Sequence, residues 1–148
     1  MRPTAPLSLA LFAALALAPL VPAADGPKPS EANDKLVGSW KLTTAKYRGQ
    51  EFPFPETFTT MKIVTAGRYV LVIYGKDGSV ARASGGSYRL VGDTYEETPE
   101  FSTTEGFEAL KSKPQSFHCK VEGDKWIHDG TLTSGMTVEE VWERADKK

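Results

Sequence analysis

Few residues of this chain have the type and spacing that chemistry needs. The two histidines, His118 and His128, stand ten positions apart. Each falls in a short run of alternating apolar and polar residues, the pattern of a strand whose side chains point to opposite faces in turn. In 115–121 (QSFHCKV) Phe117, Cys119 and Val121 share one face and His118 takes the other. In 125–130 (KWIHDG) His128 shares the face of Trp126, although pairing with Ile127 inward would put His128 outside. With the Trp126 face inward, the two imidazoles cannot reach one metal ion. Glu97 and Glu140 could in principle form an acid/base pair for sugar hydrolysis, but no motif accompanies them. There is no nucleophile elbow, no Ser or Cys beside a His at a motif spacing, and no phosphate-binding loop. The residues therefore read as non-catalytic, with no metal and no cofactor. Cys119, the single cysteine, sits in an apolar alternation and is expected to be buried.

The same alternation suggests a different use for these side chains. In 94–101 Tyr95, Glu97, Pro99 and Phe101 share a face, and in 136–144 Val138, Glu140, Trp142 and Arg144 share one. If the Trp-bearing faces point inward, Tyr95, Glu97, Trp126, His128, Glu140 and Trp142 meet in one interior. Ionisable groups in an apolar interior cost several kcal/mol, on the order of the usual desolvation penalty, unless paired or wet. Such a set can line a small-ligand pocket. It can equally be a structural network, with Glu140 paired to Arg144 and His128 satisfied by a Tyr hydroxyl.

The elements that must position these residues are short runs rich in Val, Ile, Thr, Tyr, Phe and Trp, separated by Gly-containing turns. They span 36–47, 58–64, 68–74, 79–90, 94–101, 115–121, 125–130 and 136–144. Gly85-Gly86 predicts a bulge or sharp bend in the fourth run. Two connections are long. One is 48–56, where Pro53 and Pro55 exclude helix and central strand. The other holds 105–111 (EGFEALK), where Phe107 and Leu110 would share a face of one short helix between strands five and six. Eight strands joined mostly by tight hairpins make an all-β, up-and-down antiparallel barrel, since that number closes a meander without edges. A β-sandwich, the alternative, needs more long crossings than these two.

Ahead of the strands, Arg2, the apolar run 7–20 (LSLALFAALALAPL) and Val21-Pro22-Ala23 have the three parts of a secretory signal peptide. The run is shorter than the roughly 20 apolar residues that span a bilayer. The expected organisation is a signal peptide over 1–23 with cleavage near Ala23, a polar linker over 24–34, and one barrel domain over 35–146. Secretion or a periplasmic location follows, with no membrane insertion after cleavage. Eighteen Lys and Arg face nineteen Asp and Glu, so no basic surface offers a grip on nucleic acid. One cysteine cannot bridge to another within the chain, so core packing and sheet closure must carry stability.

Two features resemble the calycin group, the lipocalins and their bacterial lipocalin-like relatives. Gly38-Ser39-Trp40 stands in the first strand where that group has its Gly-x-Trp signature, and Arg144 ends the last strand, where a basic side chain meets that Trp. The resemblance implies that Gly38, Trp40 and Arg144 close one barrel end. Gly86-Ser87-Tyr88, Gly92-Asp93-Thr94-Tyr95-Glu96-Glu97, Lys120-Val121-Glu122-Gly123-Asp124-Lys125-Trp126 and Glu139-Glu140-Val141-Trp142-Glu143-Arg144 are similar to a bacterial lipocalin-like domain of unknown function found in secreted proteins. That implies a fold and an exported setting but no activity. The disulfide of many secreted lipocalins is absent, as is the haem-binding motif of the nitrobindin-like branch. The expected function is a monomeric, non-catalytic binding protein holding a small apolar or amphipathic ligand. The alternative is a filled barrel that acts as an interaction module through its loops, with Phe52 and Phe54 as contacts.

Overall fold

The computed structural model describes residues 35–146; the expected signal peptide and linker lie outside the described residues. The strands are β1 (Gly38–Tyr47), β2 (Gln50–Glu51), β3 (Phe58–Thr65), β4 (Arg68–Gly75), β5 (Val80–Val91), β6 (Thr94–Ser102), β7 (Gln115–Glu122), β8 (Lys125–Thr131) and β9 (Thr137–Arg144). Neighbours pair in the order β1-β3-β4-β5-β6-β7-β8-β9, and β9 returns to β1, so eight antiparallel strands close on themselves. The two-residue β2 only extends the free edge of β1, pairing Glu51 with Lys46 and Gln50 with Tyr47.

Closure runs along most of β1, from Trp40 opposite Arg144 to Tyr47 opposite Val138, with a bulge between Leu42 and Thr44. A second irregularity lies between Gly85 and Gly86, as the glycine pair predicts. A Cβ on Gly86 would overlap the Thr98 carbonyl oxygen of the adjacent strand. The bulge also shifts the alternation of β6. Phe101 pairs with Gly85 and lays its ring against it on the outer wall, rather than sharing the inward face of Tyr95 and Glu97.

The short helix expected between strands five and six is not formed. One 3-10 turn, Phe107–Ala109, stands after β6, entered through Gly106 in the left-handed region at φ 75°. No residue of the turn is buried and Leu110 is 42 % exposed. An isolated helix this short gains too little to offset its nucleation cost without an apolar face to bury.

The two ends of the barrel differ. At the end where β1 begins, three hairpins turn through two residues each, at Ala66-Gly67, Gly92-Asp93 and Gly123-Asp124. Trp40, Val64, Tyr69, Tyr88, Tyr95, Cys119, Trp126 and Trp142 are buried in this half. At the far end two seams part. Pairing of β1 with β3 stops at Lys41 and Met61, and pairing of β6 with β7 stops at Glu97 and Gln115. Both long connections, 48–57 and 103–114, lie at that end.

Candidate binding interior and its mouth

The interior holds two carboxylates, each tied into a small network. Lys62 shares the inward face of β3 with Val64 and is 2 % exposed. Its ammonium nitrogen lies 2.6 Å from Glu97 Oε1. The Tyr95 hydroxyl donates to the same oxygen at 2.6 Å. The ammonium also lies over four rings, 5.0 Å from the centroids of Trp126 and Trp142 and 5.5 Å from those of Tyr69 and Tyr95. A buried lysine stays charged when a carboxylate and ring faces replace its water.

Glu140 is the second centre. His128 Nε2 lies 2.8 Å from Glu140 Oε2, and Trp142 Nε1–H donates to that oxygen at 3.1 Å. The Tyr47 hydroxyl donates to Glu140 Oε1 at 2.9 Å. Burial pushes the carboxyl's pKa up. Hydrogen bonding and attraction from His128, the Lys62 charge and the Tyr47 hydrogen bond outweigh it and hold the group down at about 2. The phenols move the other way. Burial raises Tyr47, Tyr69 and Tyr95, and the neighbouring carboxylates, Glu140 for the first and Glu97 for the other two, raise them further. Trp126 Nε1 and His128 Nδ1 are buried with no hydrogen-bond partner among the described residues. Such groups are uncommon in interiors because each forgoes its solvation.

Arg144 lies outside both networks. Its guanidinium carbon stands 4.3 Å from the Trp40 ring centroid. It donates to the carbonyls of Val37 and Lys35, each at 2.9 Å. Trp40 Nε1–H donates to the Leu36 carbonyl at 2.7 Å. A Cβ on Gly38 would collide with Arg144 Nη1, and Gly38 has φ 137°, so glycine is required there on both counts.

Towards the far end the inward faces carry side chains that solvent still reaches. Tyr69 is inward and buried, and Leu71 and Ile73 follow it on the same face of β4, both half-buried. Ser84 opposes Leu71 and Arg82 opposes Ile73. Ser84 is half-buried and Arg82 exposed, while Thr60 on β3 and Pro99 on β6 are half-buried. These residues wall a hollow that opens between the parted seams. A separate cleft of about 620 Å³ is lined mostly by the outward faces of β1, β8 and β9, through Thr44, Lys46, Ile127, Asp129, Glu139 and Val141. Phe52 and Phe54 border it. It belongs to the outside wall.

No family model matches the sequence, and no curated protein does. Solved structures do match in fold. An uncharacterized protein from Bacteroides eggerthii superposes with a TM-score of 0.54 at 17 % identity, over 73 % of this chain and 98 % of its own. A lipocalin-like protein from Bacteroides uniformis superposes with a TM-score of 0.54 at 14 % identity, over 74 % of this chain and 97 % of its own. The fold is a lipocalin-like barrel.

Within the lipocalin-like barrel all six residues singled out by strand alternation point inward, at two depths. Tyr95, Trp126 and Trp142 are 0 % exposed and His128 2 %, packed ring against ring. Tyr95 to Trp126 is 5.1 Å between centroids, and Trp126 to Trp142 is 5.9 Å. The Glu97 and Glu140 side chains retain 13 % exposure each and form the floor of the hollow. The expected structural pairings differ from those found, since Glu140 pairs with His128 and Tyr47, leaving Arg144 to Trp40. Sequence reasoning missed Lys62, whose bulky neighbours Met61 and Ile63 suggested that they, and not lysine, face the core. In fact Ile63 is 45 % exposed. The signal was there in the inward parity of Thr60, Lys62 and Val64. His118 lies on the outer wall with Asp129 Oδ1 3.2 Å from its Nδ1, away from His128.

Proposed function

We propose that this lipocalin-like barrel is a non-catalytic binding protein that takes the apolar part of a small amphipathic molecule into its far-end hollow. The observation that carries this reading is the contrast between the two halves of one interior. Inward side chains near Trp40 are sealed, whereas Leu71, Ile73, Ser84 and Pro99 face inward and still meet solvent. Phe58, 43 % exposed, stands at the rim of the same wall. Apolar surface covered there would contribute roughly 25 cal/mol per Å², with Glu97 and Glu140 orienting polar atoms from the floor. Binding at this depth leaves the aromatic cluster of Tyr95, Trp126, His128 and Trp142 intact beneath the ligand.

A neutral naphthylamine dye should bind the wild-type protein with enhanced fluorescence and altered tryptophan emission. Ser84→Trp, which fills the hollow, should abolish binding while leaving the urea midpoint within the range of a surface change. Dye binding unaffected by Ser84→Trp would remove the hollow as the site. The second reading, a module acting through its loops, is favoured by Phe52. That ring is 48 % exposed, 5.5 Å from Tyr47 and 5.2 Å from Phe54. Its test is loss of partner capture in Phe52→Ser with dye binding unchanged. The leader-like N-terminus supports action after export, as a chain beginning at Ala24 or Asp25. N-terminal sequencing of the protein recovered from the periplasm or medium checks this.

A further inference from the structure

The hollow has one cation on its wall that no carboxylate claims. Tyr69 faces inward, since its ring lies 5.5 Å from the buried Lys62 ammonium. Leu71 and Ile73 follow on the same face, and residues directly opposed across an antiparallel pair share a face. Arg82, opposite Ile73, therefore faces the mouth, where it is exposed to solvent. The carboxylates around it are engaged elsewhere. Glu97 is held by Lys62, Glu140 by His128, Glu96 by Arg89, and Glu100 by Arg68 on the outer wall. Among the described residues Arg82 makes no ion pair. Its charge nevertheless acts on the hydroxyls of Tyr47 and Tyr69, opposing their upward shifts, so it lies within reach of both β1 and β4.

We infer that Arg82 receives the anionic head of the ligand, so that the molecule bound is an amphipathic monoanion with a small oxyanion head and an apolar tail. This rests on the binding reading above. A guanidinium offers a planar oxyanion two parallel N–H donors, and such charge-assisted pairs are about twice as strong as neutral ones. Leu71, Ile73 and Pro99 lie below it to take the tail. The carboxylates at the floor oppose an anion entering head first. The head consequently stays at the rim, and the polarity of the bound molecule is set: head out, tail in.

The test uses the full mature chain with dansylaminoundecanoic acid and its methyl ester, which differ only in charge at the head. At neutral pH and low salt the acid should bind at least about tenfold more tightly than the ester, the size expected of one charge-assisted pair. Arg82→Gln should remove that preference by weakening the acid alone, and Arg82→Lys should keep part of it. Far-UV circular dichroism should be unchanged in both variants, because Arg82 is exposed and unpaired. Equal binding of acid and ester by the wild type, or equal weakening of both by Arg82→Gln, overturns the inference and leaves the binding hollow standing. Failure of both probes to bind the wild type overturns the hollow and the inference together.

Discussion

At the scale of the residue, the interior is decided by how each carboxylate is neutralised. Glu97 and Glu140 share one interior, yet each has its own cation, Lys62 and His128. Removing one partner of such a pair strands a charge, which costs more than the pair contributes when intact. Glu140 makes this measurable. Its carboxyl is held at about 2 in the folded protein, below its ordinary value of 4.5. A depressed pKa contributes stability that is fully present above about pH 4.5. That stability is lost as the pH falls through about pH 2, because the unfolded chain binds the proton first. The contribution is about 3 kcal/mol at most, since a pKa unit is worth about 1.4 kcal/mol. Urea unfolding of Glu140→Gln should show a lower midpoint at neutral pH and a flatter decline between pH 5 and about pH 2 than the wild type. Parallel declines in the two proteins would mean that another carboxylate carries the acid sensitivity.

At the scale of the element, β1 is the strand on which closure depends. It pairs with β9 along most of its length and with β3 over only Gly38–Lys41. Arg144 joins the end of β9 to the start of β1 by stacking on Trp40 and by donating to two carbonyls ahead of the strand. Arg144→Ala should destabilise the fold by about 1–3 kcal/mol through loss of the cation–π contact and the packing of its stem. Chemical denaturation would measure this, and no change would mean that backbone pairing alone closes the barrel. Strand alternation was readable for every long strand. What it missed were the bulges, because one extra residue reverses the parity of everything after it. Phe101, predicted inward and found outside, is the result of the bulge at Gly85 and Gly86.

At the scale of the whole molecule, one end is sealed by aromatic packing and the other opens where two seams part. Opening free energy is lowest where few apolar contacts and exposed backbone coincide. Amide hydrogen exchange should therefore be slowest around Trp40, Lys62, Tyr95, Trp126 and Trp142. It should be fastest in 48–57 and 103–114, the two connections at the mouth. A bound amphipathic anion should slow exchange in β4 and β5 beside Arg82 and leave the Trp40 end unchanged. Uniform protection along the strands would argue against a distinct open half. With a single cysteine, buried in the core, this gradient arises from packing alone.

The sequence by itself determined the class of fold and most of its faces. Period-two alternation, Gly-containing turns and eight evenly spaced runs dictate a meander that closes, and Gly38-Ser39-Trp40 with Arg144 marks where. It also determined that Tyr95, Glu97, Trp126, His128, Glu140 and Trp142 share one interior, since register carries a face across a sheet. Tertiary structure alone decided which of them solvent can reach. It also decided the partners: Lys62 for Glu97, His128 for Glu140, and none of these for Arg82. Those outcomes depend on which strands lie across the barrel from one another and where their seams diverge. Alternation along a single strand carries no information about distance across the barrel, so closure had to bring these side chains together before their pairing was defined.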